Sequence, residues 1–242
     1  MSESRPAFYA LEPGGWRDYL TLLHPPYTLW HLSYVAIGAA LAPGLTWQRL
    51  LVALAAFFLA VGIGAHALDE LHGHPLQTRI PDRVLVALSA VSIPGAVALG
   101  IYASVVYTLW LAPLVAAGAF IVCAYNLELF GGAFHSDFWF AVAWGSLPLV
   151  AAYLAVAERV TLEALLAAVF AGFLSLAQRH LSTQVRTLRR RVVSVSGTLE
   201  LAGGEREPIT EATLTKAPEA ALRAMTVAVA SLAVSLVVLR LS

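Results

Sequence analysis

Seven apolar stretches constrain this chain more than anything else in it: Pro26–Leu41, Gln48–Leu71, Arg83–Ser104, Val106–Leu127, Phe138–Ala157, Leu162–Leu181 and Ala220–Leu241. A bilayer crossing needs about 20 apolar residues. Inside hydrocarbon, backbone polar groups must find partners within the protein, so each stretch is expected to be a helix. The expected fold is all-α, a single polytopic bundle over residues 1–242. Composition agrees. Hydrophobic residues make up 59% of the chain and charged ones 12%, with a mean hydropathy of +0.75; a soluble domain is nearer half apolar and about a quarter charged. Pro94, Pro113 and Pro148 fall inside stretches, where neighbouring helices can satisfy the freed carbonyls; Pro94 and Pro113 are read as kinks.

Charge sets the orientation. With the N-terminus cytoplasmic, Arg49, Arg159 and Arg240 are the basic residues on the outer side, and the other twelve of the fifteen Lys and Arg lie inside. That asymmetry follows the positive-inside rule and places the C-terminus outside. The first twenty residues lack a basic start followed at once by an apolar core, so no cleaved signal is expected. Trp16–Leu23 reads as a short interfacial helix, 1–23 as a cytoplasmic segment and 182–218 as a polar cytoplasmic loop. Within that loop the alternation of Val193–Leu201 about Ser196-Gly197 suggests a hairpin, Gly203–Glu207 a loop, and the whole a possible lid. Net charge is zero and no basic tract suits nucleic acid. Cys123 is the single cysteine, which excludes an internal disulfide and a thiolate cluster.

The polar residues collect at one end. The end of the second stretch reads Gly64-Ala-His-Ala-Leu-Asp-Glu-Leu-His-Gly-His-Pro75. On a helix, His66, Asp69, Glu70 and His74 would share a face, with His72 pointing elsewhere. Tyr125, Asn126 and Glu128 close the fourth stretch, His135 and Asp137 follow the Gly131-Gly132 turn, and Gln178, Arg179, His180 and Gln184 close the sixth. His24 opens the first. Six of the seven histidines thus gather at one membrane face, His31 being the exception one to two turns deeper. Carboxylates and imidazoles are costly near a bilayer boundary unless they serve a purpose, such as holding a metal or moving protons. Arg189-Arg190-Arg191 would meet anionic head groups or a diphosphate, or act only as topology determinants. Asp137 also suits a helix N-cap before Phe138, and Trp144, mid-stretch, is expected inside the bundle.

This layout resembles the UbiA superfamily of intramembrane prenyltransferases over roughly residues 18–190, by the order of stretches and motifs. Leu23-His-Pro-Pro-Tyr-Thr-Leu-Trp30, then Val35–Leu41, is similar to the family's opening, with His24 where arginine is usual. Asp69 and Thr78-Arg-Ile-Pro81 sit where the family has an Asn-xxx-Asp-xxx-Asp motif and an Arg-Pro-Ile-Pro loop. Ala124-Tyr-Asn-Leu127 and Phe140–Pro148 are similar to its tyrosine motif and the helix after it. The resemblance implies a ring of helices around a central cavity, and an isoprenoid lipid diphosphate bound through Mg²⁺. Its prenyl group would pass to an acceptor.

On that reading Asp69, Glu70, His66, His180 and Tyr125 are the catalytic candidates, with His66 or His180 as base. His24, Arg79, Arg179 and Asn126 would face the diphosphate. The departures are equally specific. Read around Asp69, the first motif keeps one acid; shifted by one residue it becomes His66-xxx-Glu70-xxx-His74. Gln178, His180 and Gln184 stand where a second acidic motif belongs, and two helices are absent from the family's nine. Mg²⁺ does not favour imidazole, whereas Fe, Zn and Mn accept it. A second reading is therefore a His/carboxylate metalloenzyme acting on a lipid. Its metal set is drawn from His66, Asp69, Glu70, His74, Glu128, His135, Asp137 and His180. A third is a lipid- or partner-binding membrane protein without catalysis.

Overall fold

The computed structural model describes residues 5–241. It is helical apart from one short hairpin: α1 Trp16–Leu22, α2 Pro25–Leu41, α3 Trp47–Leu71, α4 Asp82–Val106, α5 Leu111–Asn126, α6 Asp137–Ala157, α7 Leu162–Arg191, β1 Thr198–Glu200, β2 Arg206–Pro208 and α8 Glu211–Leu241. Five of these, α3, α4, α6, α7 and α8, are long and apolar enough to cross a membrane; α5 is apolar but has 16 residues, and α2 has 17. Side chains such as Val91, Val105, Leu109, Phe173 and Leu239 are strongly exposed along the outer faces, as expected where lipid replaces water.

Local chemistry starts the helices. Pro25 and Pro26 open α2, where a missing N–H costs nothing. Thr46 and Ser136 accept the backbone N–H of Arg49 and Trp139 as N-caps of α3 and α6. Asp137 is therefore the first residue of α6, and its neighbour Ser136 does the capping. Before α8, Thr210 and Thr213 bond each other's backbone N–H reciprocally at 3.1 and 2.8 Å, a capping box built from two threonines. Gly131 and Gly132 take φ of 66° and 79° in the turn after α5, which is the conformation glycine adopts without strain.

The short helix α2 is the centre. Ten of its 17 residues are buried, among them Trp30, Tyr34 and Val35, and it packs mainly between α8 and the second half of α6. The approach to α6 is as close as backbones allow: a Cβ on Gly38 would stand 2.1 Å from the Leu149 carbonyl oxygen. Small residues serve the same purpose between α6 and α7, where a Cβ on Gly145 would meet the Ala171 oxygen at 2.6 Å. In a membrane, helices associate through such close packing because lipid supplies no hydrophobic drive. Beside this core, α3, α4, α5 and α6 enclose an apolar cleft of about 110 Å³ lined by Phe57, Ile93, Val115 and Leu147.

Two helices change hydrogen-bond register. Phe58–Ala65 within α3 and Val142–Ser146 within α6 are π-helical, the wide-turn form that tends to accompany functional positions. A π turn misaligns its carbonyls, and side chains take them up: Gly62 O accepts from His66 Nδ1 at 3.2 Å, and Trp144 O accepts from His31 Nδ1 at 2.8 Å.

About half of the expected loop 182–218 is helix. Ser182–Arg191 continues α7 and Glu211–Pro218 begins α8, leaving 192–210 as the connection. The reason is plain in the residues. Leu, Gln and Arg favour helix, no Gly or Pro interrupts 182–191, and the three arginines at its end suit the helix dipole. Polarity ended the membrane stretch without ending the helix. A hairpin exists, but it turns over 201–205, with Leu199 opposite Glu207, and not at Ser196-Gly197.

Candidate functional site: a basic basin beneath the N-terminal segment

The last turn of α3 carries His66, Asp69 and Glu70, whose side chains diverge in role. Glu70 is fully buried. Its Oε2 accepts Leu76 N–H at 3.0 Å, and its Oε1 accepts Thr78 N–H at 3.0 Å and Thr78 Oγ1–H at 2.8 Å. Glu70 therefore holds the loop after α3 in shape, and its lone pairs are engaged in doing so. The shared helix face expected for His66, Asp69, Glu70 and His74 is distorted at its last member, whose Nδ1 still lies 3.4 Å from Glu70 Oε1. The helix stops at Leu71; Gly73 and His74 take φ of 87° and 50°, and His74 Nε2 turns to Asp82 Oδ1 at 2.8 Å.

His66 stays, and packs flat on His24, with ring centroids 4.1 Å apart and planes within 9°. Because a carbonyl can only accept, the bond to Gly62 O places the His66 proton on Nδ1 and leaves Nε2 as a free lone pair. His24 caps α2 in a left-handed conformation, with Nδ1 2.8 Å from the Tyr9 hydroxyl. Its Nε2 is buried without a partner. Burial first, then His66 and the arginines Arg190 and Arg186, pushes its pKa well below the ordinary imidazole value, so His24 is neutral. Burial likewise raises the Tyr9 hydroxyl well above the usual phenol. Tyr9 stands edge-on to Tyr27, 5.5 Å between centroids, and together they wall the chamber.

Asp69 is the member left open. It is partly accessible, and among the described residues its side chain makes neither hydrogen bond nor ion pair. The charges it feels are those of Arg186 and Arg190 on α7, then Glu70 and His135. Arg179, Arg186 and Arg190 are spaced i, i+7, i+11, which puts them on one stripe of α7. Arg190 Nε–H donates to Pro6 O at 3.1 Å, and Arg186 makes one local bond, to Thr183 Oγ1 at 3.0 Å. Arg179 is engaged differently: Nε–H donates to Asp137 Oδ1 at 2.5 Å, and Nη1 contacts the Tyr125 hydroxyl. The Tyr125 ring stacks on His135 at 4.4 Å, and His135 Nδ1 donates to Tyr125 O at 3.1 Å.

The roof is the N-terminal segment. Phe8 and Tyr9 enter the chamber, Arg189 and Arg190 hold the carbonyls of Arg5 and Pro6, and Arg223 lies over the Phe8 ring at 5.0 Å. Asp18, buried within α1, joins roof to floor by accepting Gly14 N–H at 2.9 Å and Arg79 N–H at 3.2 Å.

Of the residues expected here, His24, His66, Asp69, Tyr125, His135 and Arg179 do border the basin or its rim. The others are placed elsewhere or otherwise occupied. Asn126 Nδ2–H donates to Val122 O at 2.7 Å and closes α5. Glu128 is exposed at a left-handed turn, 3.8 Å from His135. His180 is exposed, and the Arg79 side chain is exposed while its backbone meets Asp18. Among the described residues no three His, Cys, Asp or Glu side chains gather closely enough to hold a metal ion. Mg²⁺ beside a diphosphate is held by one or two carboxylates together with phosphate oxygens and waters. Glu70 is engaged by the loop and Asp137 by Arg179, which leaves Asp69 as the one of these three carboxylates without a partner among the described residues. Sequence reading missed Tyr9, Asp18 and Arg186; the i, i+7, i+11 spacing would have revealed Arg186 once α7 was carried past Leu181.

The chain was compared with known protein families, curated proteins and solved structures, and none of them matches. What the basin can do therefore rests on its chemistry. It presents several guanidinium forks, aromatic hydroxyls, a neutral imidazole and one open carboxylate, an arrangement for an anion with several oxygens beside a proton acceptor.

Proposed function

We propose that the chain is a UbiA-like integral membrane transferase. In this reading all seven of α2–α8 cross the bilayer as a ring, with the N-terminus and basin cytoplasmic and the C-terminus outside. The basin takes the diphosphate of an isoprenoid lipid, and the chain's apolar interior takes the lipid. The observation that carries the reading is Asp69, a half-buried carboxylate whose side chain has no hydrogen bond or ion pair among the described residues and which feels the charges of Arg186 and Arg190, beside the aromatic cluster of Phe8, Tyr9 and Tyr27. In the reaction the allylic C–O bond breaks, and its electron pair leaves with the diphosphate. The guanidinium groups stabilise the charge that develops there. An acceptor nucleophile forms the new bond to carbon, and its proton passes to Asp69 or to His66 Nε2. No step is assigned to a metal.

The test is turnover by the purified protein with geranyl, farnesyl or geranylgeranyl diphosphate and a membrane extract as acceptor source, read as diphosphate release. Asp69→Asn is expected to lower turnover by about 10²-fold or more while leaving substrate-induced thermal stabilisation in place. Absence of both turnover and stabilisation at every chain length overturns the reading.

A further inference from the structure

Where the resembling transferases hold the diphosphate through divalent metal, we infer that this basin holds a prenyl diphosphate by guanidinium groups alone. The inference deepens the proposed function and rests on it. Three observations converge. The charge balance is the first. Arg186 and Arg190 make no ion pair within the described residues; the carboxylates whose charge reaches Arg190 are Asp69 and Glu70, and Glu70 is committed to the loop it holds. A divalent cation would find Asp69 as the carboxylate without a partner and would compete for it with Arg186 and Arg190, whereas an anion is drawn directly by the open guanidinium groups.

Donor geometry is the second. A guanidinium carries five N–H donors in a planar fork that matches phosphoryl oxygens in pairs. Arg190 commits its Nε–H to Pro6 O, and Arg186 one terminal nitrogen to Thr183, so most of both forks stay open. Arg179, about two turns before Arg186 on α7, already shows the mode by forking between Asp137 and Tyr125.

The third is independent of the arginines. His24 is 8% exposed and its Nε2 has no partner, an arrangement that costs free energy unless something completes it. In the tautomer where the Tyr9 hydroxyl donates to Nδ1, Nε2 carries the proton and lacks an acceptor. A phosphoryl oxygen held by Arg186 and Arg190, whose charges His24 feels, supplies one. Guanidinium groups are permanently charged, so they do for the leaving diphosphate what a bound cation does elsewhere.

The experiment is thermal unfolding of the full chain in detergent with farnesyl diphosphate or inorganic pyrophosphate, each with excess EDTA, with Mg²⁺ and with Mn²⁺. Stabilisation by farnesyl diphosphate in EDTA is expected, changed less than about 3-fold in apparent Kd by either metal. Arg186→Gln and Arg190→Gln should each weaken it by about 10-fold or more, their Lys counterparts less, and Arg49→Gln at the far end not at all. Stabilisation that needs Mg²⁺ or Mn²⁺ overturns the metal-free site and leaves the transferase reading standing. Pyrophosphate binding as tightly as farnesyl diphosphate overturns the lipid as ligand. No stabilisation under any condition overturns the transferase reading, and this inference with it. His24→Asn should weaken binding without altering the indifference to EDTA; a variant that becomes Mg²⁺-dependent contradicts the assignment of His24 to the anion.

Discussion

Arginines at the two ends of the bundle do opposite things. At the far end Arg49 donates to the carbonyls of Ala155 and Val156 at 2.9 Å each, pairs with Glu158 at 2.7 Å and lies over the Tyr107 ring at 4.6 Å. Arg240 donates to Ala40 O at 2.8 Å. Both close the carbonyl end of a helix, α6 and α2 respectively, where orphan acceptors and the dipole favour a cation. Arg49's donors are largely taken up by the fold, while Arg240 makes the one bond that closes α2. At the basic end Arg186 and Arg190 touch the chain with one bond each. The residue type is the same; the number of donors left open separates Arg49 from Arg186 and Arg190.

Substitutions can break that contrast, and they rank by how much of the fold each group holds. Glu70→Ala should cost most, about 3–5 kcal/mol, since it strands three donors on Leu76 and Thr78 that are themselves buried. Although Glu70 lies at the basic end, it should behave like the far end, with a large loss of thermal stability measured by unfolding in detergent. Gly38→Ala follows at about 2–3 kcal/mol, because its Cβ would collide with the Leu149 oxygen, and the effect of diphosphate on the remaining folded protein should be unchanged. Arg49→Gln should cost about 1–2 kcal/mol for the same reason as any lost cap.

A pH titration probes the basic end without mutation. His24 is held neutral, its folded pKa lying below the unfolded value. The unfolded chain then takes up the proton first, so stability is full above the ordinary imidazole range, about 6.5. It falls as pH drops through that range and levels off below the folded value. The melting temperature should therefore decline on acidification from about pH 7.5 to 5.5, and less steeply in His24→Asn. The smallest effect on stability is expected from Arg186→Gln, within about 0.5 kcal/mol. If its cost matches that of Arg49→Gln, the contrast between the ends is wrong.

The helices were legible because apolar length survives any detail of packing, and Trp16–Leu22 was legible for its place before Pro25. The convergence of His24, His66, Asp69, Tyr125 and Arg179 at one end followed from which end of each stretch carried polar residues. Their individual roles did not follow. Nothing in the pattern around Glu70 says that its oxygens face the loop that follows, because a buried carboxylate and a metal ligand need the same residue in the same place. His74 left the helix because the chain turns at Gly73, a backbone choice that helical counting overrides. Tyr9 was invisible for a different reason. It reaches the chamber from a polar segment with no periodicity, tied down by carbonyl contacts to Arg189 and Arg190 that leave no trace in residue type.

The π stretch in α3 acts as a vernier. A π turn takes in one residue more than an α turn, and one residue is about 100° of helix rotation. Counting faces from Trp47 through Phe58–Ala65 to Asp69 therefore lands on the wrong side, and the two ways of aligning the His66–His74 stretch differ by that single residue. It follows that a one-residue insertion or deletion upstream can be absorbed inside this helix, while the turn bearing His66, Asp69 and Glu70 keeps its seat beneath the N-terminal roof. Among related chains, length variation should thus collect in Phe58–Ala65 and spare the loop that Glu70 holds.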